Sequence, residues 1–291
     1  MKPFSYAPAA SLDEALELLV QHGDEARLMA GGTALVILLR HDLAQPGIVI
    51  GLNGIAELAG VRAEEDGGLA VGALTSLHRL ELEPLVRMRA PALARTIHTV
   101  ASVRVRNQAT LGGNLVHADP AQDPPPMLMA LDASVVLECA SGCRTVPLDE
   151  FYVGMFETVT RRDEVLTSIR IPPQPEGARF TYVKFLPRTV DDFATISVAV
   201  RIDPAPDGTI LDARIALGSA GTMPMRAAAA ESAIRGRKPD PALIDDVAAL
   251  ARDAADPIPD VRGSVAYKRE MVRVWTARAL RDLTGLGPPH G

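Results

Sequence analysis

The chain has 291 residues, of which 47% are hydrophobic and 23% charged, and a formal net charge of −6. A mildly acidic chain with no Lys/Arg cluster longer than a pair such as Arg161-Arg162 has no general attraction for phosphate backbones, so no nucleic-acid partner is expected. The longest apolar run, residues 28 to 39, contains Gly31 and Gly32 and is too short to cross a bilayer, so no membrane insertion is expected.

The length suits two domains, or three small lobes. Two cysteines cannot staple a chain of this size, which points to a reducing compartment and the cytoplasm. Met1 to Tyr6 leads straight into an acidic helix pattern, and no leader peptide is expected there.

Ser11-Leu12-Asp13-Glu14 is a capping-box pattern, with Leu12, Ala15, Leu16 and Leu19 at helical spacing and Gly23 at the stop. A short apolar strand follows over 26–30, then Gly31-Gly32, then Thr33 as a cap for a helix to about Arg40. Residues 47–52 form another apolar strand, completing an α/β unit. A strand at 69–71, a helix capped by Thr75 or Ser76, and a helix over 91–100 come next. Residues 103–123 show no period and many turn formers, which predicts a functional loop.

Residues 133–139 and 143–146 flank Ser141-Gly142 as a hairpin, and 164–171 alternates as a strand. Pro172-Pro173-Gln174-Pro175 is the linker candidate. Beyond it, 182–186, 194–202 and 210–218 read as an antiparallel meander, and helices are predicted over 225–234, 241–255 and 264–283.

Two glycine turns carry the chemistry. Glycine lets backbone N–H groups approach a phosphate without a Cβ in the way, and a helix starting just after adds its positive end. Gly31-Gly32 meets both conditions, yet glycine pairs are also ordinary strand-to-helix turns. Neither a Walker loop nor Gly-x-Gly-x-x-Gly is present. Thr110-Leu111-Gly112-Gly113-Asn114 is the second such turn, and Asp119 and Asp123 follow as candidate partners for sugar hydroxyls or as helix caps before Pro120 and Pro124. The six histidines, His22, His41, His78, His98, His117 and His290, show no metal-helix spacing, and no Ser-His-Asp or Cys-His order stands out. No catalytic residue and no metal ligand set is expected. The basic stretch from Tyr267 to Arg278 is either a solvated helix face or a docking face.

Ala30-Gly31-Gly32-Thr33, then Val105 to Asn114, then His117-Ala118-Asp119-Pro120 with Asp123 together resemble the FAD-binding medium subunits of molybdenum hydroxylases. This is the group of carbon monoxide dehydrogenase, xanthine dehydrogenase and 4-hydroxybenzoyl-CoA reductase. Glu164 to Pro172, Lys184 with Arg188 to Ala194, and Ser264 to Arg269 resemble further family segments in the same order. The resemblance implies that Met29, Ala30, Gly31, Gly32, Thr33, Ala34 and Leu35 wrap the FAD diphosphate. Thr110, Gly112, Gly113 and Asn114 would form a second clamp. Asp123 would bind the adenosine side, Leu166 would touch the cofactor by its backbone, and Lys184 would approach the flavin ring. Phe193 and Val100 fall where relatives place side chains against that ring. Relatives with a metal centre in this subunit carry a four-cysteine insertion, whereas here only Cys139 and Cys143 occur; Thr33 stands where some carbon monoxide dehydrogenases have His.

The expected fold is α+β: an FAD-binding domain of the PCMH type in two α/β lobes, about 1–55 and 56–175, and a C-terminal domain of three-stranded antiparallel sheet plus helices over 176–291. The implied function is an FAD-carrying electron relay. Its partners would be a small subunit with two-iron iron–sulfur clusters and a large subunit with a molybdenum cofactor, paired into a dimer of heterotrimers. A docking subunit that has lost FAD is one competing expectation, opposed by the intact glycines at 31, 32, 112 and 113, and a self-contained FAD-dependent oxidase or dehydrogenase is the other. It calls for a covalent-attachment His or Cys near the first glycine turn, and none lies between Met29 and Arg40.

Overall fold

The computed structural model describes residues 2–187 and 192–287. Arg188 and His290 lie outside the described residues.

The first unit contains β1 (Ser5–Pro8), α1 (Leu12–His22), β2 (Ala26–Met29), α2 (Leu35–Arg40) and β3 (Ile48–Gly51). Its sheet is parallel, in the order β1-β3-β2. The central strand is buried along its whole length, which is why it reads as a continuous apolar run. Ser11 Oγ accepts from the Glu14 N–H, while Glu14 Oε2 accepts from the Ala10 N–H at 2.7 Å, one residue earlier than the usual box.

The second unit begins with β4 (Val61–Ala63) and β5 (Leu69–Gly72). A run of helices follows: α3 (Leu77–Leu82), α4 (Pro84–Arg89), α5 (Pro91–His98), α6 (Val103–Gln108), α7 (Leu111–His117) and α8 (Pro124–Ala130). It closes with β6 (Ser134–Cys139), β7 (Gly142–Pro147), the small pair β8 (Tyr152–Gly154) and β9 (Glu157–Thr158), and β10 (Val165–Ile171). The sheet order is β4-β5-β10-β6-β7, antiparallel throughout. Residues 103–123 are therefore not the loop that the lack of period suggests. They hold α6 and α7, whose shortness and internal glycine pair erase any readable pattern.

The third unit is the sheet β11 (Arg179–Phe185), β12 (Ile196–Pro204), β13 (Ile210–Gly218) and β14 (Met225–Arg226), followed by α9 (Ala228–Ile234), α10 (Pro241–Ala254) and α11 (Val265–Thr284). The two-residue β14 pairs with Ala216 and Leu217 and adds a fourth strand to the meander. Residues 225–226 read as the start of a helix in the sequence, but the helix begins after them.

Each unit has a core of its own, and the second core reaches across. Ala199 and Ala216 of the third unit belong to it, with Phe180 and Tyr182 packed alongside. Helix α8 lies at this join, and every one of its residues is buried. Its three leading prolines fit because first-turn N–H groups have no helical partner to lose. Just beyond it, Asp132 accepts from Arg201 and from Arg214 Nε, both at 2.7 Å. Two arginines of the third sheet thus hold one carboxylate of the second unit. The basic stretch on α11 is largely satisfied within the chain. Lys268 points inward to the Ile258 carbonyl and Asp260, Arg273 pairs with Glu270, and Arg278 covers the Trp275 ring. No helix of the described residues is long and apolar enough to cross a membrane.

Candidate functional site

The two glycine turns meet. A methyl group built on Gly31 would stand 1.7 Å from the Gln108 carbonyl oxygen, and one on Gly113 would stand 3.7 Å from Ala30 Cβ. Gly31 is therefore glycine because the backbone of residues 108–109 lies against it. Gly32 is glycine for another reason: its φ is +70°, and a Cβ there would meet only Met29 and Val36 at 3.4 Å.

The turns differ in what their N–H groups do. Among the described residues, no hydrogen bond engages the main-chain N–H of Ala30, Gly31, Gly32, Thr33, Ala34 or Leu35. The first N–H with a partner is that of Val36, which donates to the Gly32 carbonyl at 3.0 Å. Thr33 does not cap α2; Ala34 holds the cap position and makes no side-chain cap bond. Six consecutive donors beside a helix start are thus unengaged among the described residues, an arrangement suited to an anion.

The second turn is already engaged. The Leu111 N–H donates to the Thr75 carbonyl, the Gly112 N–H to the Ala73 carbonyl, and the Gly113 N–H to Thr110 Oγ1. A Cβ on Gly112 would stand 2.6 Å from Ala73 Cβ, so this glycine serves close packing of α7 against residue 73. What remains is the Asn114 side chain. Its Nδ2 donates to Gln122 Oε1, and its Oδ1 is buried without a partner among the described residues.

Asp123 and Lys184 stand together, although the resemblance assigned them to opposite ends of the cofactor. Lys184 Nζ donates to Asp123 Oδ2 at 2.8 Å and to the Thr99 carbonyl at 2.9 Å; Tyr182 donates to Asp123 Oδ1 at 2.7 Å. Both ion-pair side chains are 6% exposed. Burial pushes the Asp123 carboxyl above its ordinary range, with the Lys184 ammonium and the Tyr182 hydroxyl acting against that push. Burial beside this carboxylate likewise holds the Tyr182 hydroxyl well above its usual range. Asp123 occupies the cap position of α8 but makes no cap bond, since both oxygens face β11.

The segment between α5 and α6 is held by two cations. Arg106 donates to the carbonyls of Val100 and Ala101 at 2.9 and 3.0 Å, next to the Lys184 bond to Thr99. Ala101 has φ +40°, a strained conformation for a residue with a Cβ. Arg106 is fixed in turn by Glu81 at 2.9 Å, and Glu81 also meets His98 at 2.7 Å. Burial alone would raise the Glu81 carboxyl, but His98 and Arg106 hold it below the ordinary range.

Val100 itself is buried. Leu166 lies buried in β10, beside an irregularity at Thr167 whose carbonyl accepts from the Ala73 N–H at 2.9 Å. Phe193 is 45% exposed with the Arg262 guanidinium 5.9 Å from its ring centre. His117 rests on the Phe156 ring, and burial lowers its pKa against the opposing charge of Asp119. Arg106, Glu81, Tyr182 and Gln122 were given no role from the sequence. Arg106 belongs to the Val105 to Asn114 stretch that resembles the family. Glu81 looks like any surface helix carboxylate, and nothing in its neighbours signals its burial.

Residues 2–174 match the family described as the FAD binding domain in molybdopterin dehydrogenase, and residues 181–283 match the carbon monoxide dehydrogenase flavoprotein C-terminal domain. The chain belongs to the FAD-binding medium subunits of the molybdenum hydroxylases. The medium chain of glyceraldehyde dehydrogenase from Sulfolobus acidocaldarius is 35% identical over 280 residues, covering 96% of this chain and 98% of the relative. The carbon monoxide dehydrogenase medium chain from Hydrogenophaga pseudoflava is 36% identical over 281 residues, covering 95% and 96%. A solved carbon monoxide dehydrogenase from the same organism, lacking the Mo-pyranopterin moiety, superposes with a TM-score of 0.93 at 37% identity. That match covers 97% of this chain and 98% of the solved one.

The residues present fit the family's cofactor. Six unengaged donors at the start of α2 suit a diphosphate, and a buried unpartnered acceptor on Asn114 suits a hydroxyl.

Proposed function

We propose that this medium subunit holds one FAD with its diphosphate on residues 30–35 and works as the electron relay of a larger enzyme. The observation that carries this is the row of six N–H donors without partners beside the contact between the two turns. The donors point to phosphate, because leaving that many orphaned in a half-buried turn has a cost that a dianionic ligand relieves.

Met29 precedes this row and Leu35 is its last donor. Gly31 sets the approach of the two turns, Gly112 lets α7 pack against residue 73, and Gly32 gives the first turn its left-handed residue. Thr110 and Gly113 fix the start of α7, so that Asn114 faces the cofactor with its side chain. When bound, the flavin supplies storage for two electrons taken up one at a time. The chain's part is to hold it in place. Lys184 and Asp123 act as a single neutral pair that anchors Thr99, so Val100 is positioned by Arg106 and Lys184. Leu166 contributes its strand backbone, and Phe193 offers an exposed ring at the rim. The domains are taken as 1–175 and 176–291.

The partners in this reading are a small subunit with two-iron iron–sulfur clusters and a large subunit with the molybdenum cofactor. They assemble as a dimer of heterotrimers in the cytoplasm, and electrons leave for an external acceptor. The full chain, purified alone and titrated with FAD, is expected to take up one flavin and show the shifted visible band of a bound oxidised flavin. Absence of binding at any FAD concentration would sink the proposal.

A further inference from the structure

Asn114 has two polar ends and the structure accounts for one of them. Its Nδ2 donates to Gln122 Oε1, across the short connection between α7 and α8. Among the described residues its Oδ1 has no partner, and the residue is only 9% exposed. A buried acceptor left without a donor is costly, and here its neighbour along the helix, Gly113, faces Ala30 of the first turn. The amide thus spends its nitrogen on Gln122 and keeps its oxygen unpaired, one residue along from the approach of Gly113 to Ala30. Gln122 is held in turn by its own N–H, which donates to the Asp119 carbonyl at 3.1 Å.

We propose that Gln122 is a positioning residue that clamps the Asn114 amide so that Oδ1 receives a sugar hydroxyl of the bound dinucleotide. The proposal rests on the FAD reading above. The hydroxyl belongs either to the ribityl chain on the flavin side or to the adenosine ribose, since both flank a diphosphate. Without the clamp the amide is free to turn about its side-chain bonds, and the hydrogen bond to the ligand loses its fixed direction.

The test compares FAD with two analogues, one with an unsubstituted pentyl chain in place of ribityl and one with 2′,3′-dideoxyadenosine. The readout is the ratio of each analogue's dissociation constant to that of FAD, measured on the full-length chain by quenching of flavin fluorescence. In the wild type one of the two ratios is expected to be about tenfold, the worth of one well-placed hydrogen bond, and which one it is identifies the sugar. Gln122→Leu is expected to bring that ratio close to unity, and Gln122→Glu, which keeps the accepting oxygen, to restore it. A general loosening of the fold weakens FAD and analogue alike and leaves the ratio unchanged, so an unchanged ratio in Gln122→Leu overturns the proposal. Two wild-type ratios near unity overturn it as well, with FAD binding itself intact. A wild-type chain that binds no flavin removes the FAD reading instead. If Gln122→Leu does not fold, Gln122→Glu alone decides: collapse of its ratio is the refuting result.

Discussion

Replacing each glycine of the first turn by alanine separates two roles that the motif conflates. At Gly31 the added methyl would lie 1.7 Å from the Gln108 carbonyl oxygen and 2.6 Å from its carbon, both rigid backbone atoms. The two turns must then move apart, and overpacking against atoms that cannot rotate away costs about 3 kcal/mol or more. At Gly32 the methyl would find ordinary contacts at 3.4 Å, and the cost is the left-handed φ of +70°, about 1–2 kcal/mol. Urea denaturation of the two variants reads this difference directly, with Gly31→Ala the less stable by more than 1 kcal/mol (about fivefold or more in the unfolding constant). FAD titration then adds a second dimension. Gly32→Ala remains folded, so any loss of affinity reports on the N–H row itself. A Gly31→Ala chain as stable as the wild type would refute the contact between the turns, and with it the geometry of the site.

Lys184→Met strands the buried Asp123 carboxylate and is expected to cost about 3–5 kcal/mol at neutral pH. Because Asp123 then carries a still higher pKa in the folded state, the variant should melt at a higher temperature at pH 5 than at pH 8; the reverse order would contradict the pairing. Glu164 behaves oppositely. Two hydrogen bonds from Arg144 at 2.7 and 2.8 Å, and one from the Arg161 N–H, hold its carboxyl below the ordinary range despite burial. Its contribution to stability is complete above the unfolded value of about 4.5 and is lost as pH falls through the lower folded value, so Glu164→Gln should flatten the acid limb of a stability–pH curve.

In the first unit α1 and β3 could be read closely because their signals are local, whereas β1 was not read at all. Ser11 caps α1, Gly23 ends it, and the buried β3 is an unbroken apolar run. The same holds for the hairpin around Ser141-Gly142 and the long strands of the third sheet. Residues 103–123 escaped for a physical reason: two six- and seven-residue helices give too few turns to show a period. The site divides likewise. Gly31 and Gly32 were visible as a pair, yet their separate reasons depend on Gln108 and on φ, which no local pattern encodes. That Asp123 and Lys184 are one ion pair could not be read at all, since they are 61 positions apart and meet only when β11 docks beside α8.

Helix α8 is buried on every side, with the core of the second unit running past it into β12 and β13. A chain cut at the proline linker would leave this helix with one apolar flank bare and Asp132 without either of its arginines. The carboxy-terminal sheet is thus a wall of the flavin lobe, and the boundary drawn by its family resemblance does not mark a seam along which the molecule could be separated or regrafted.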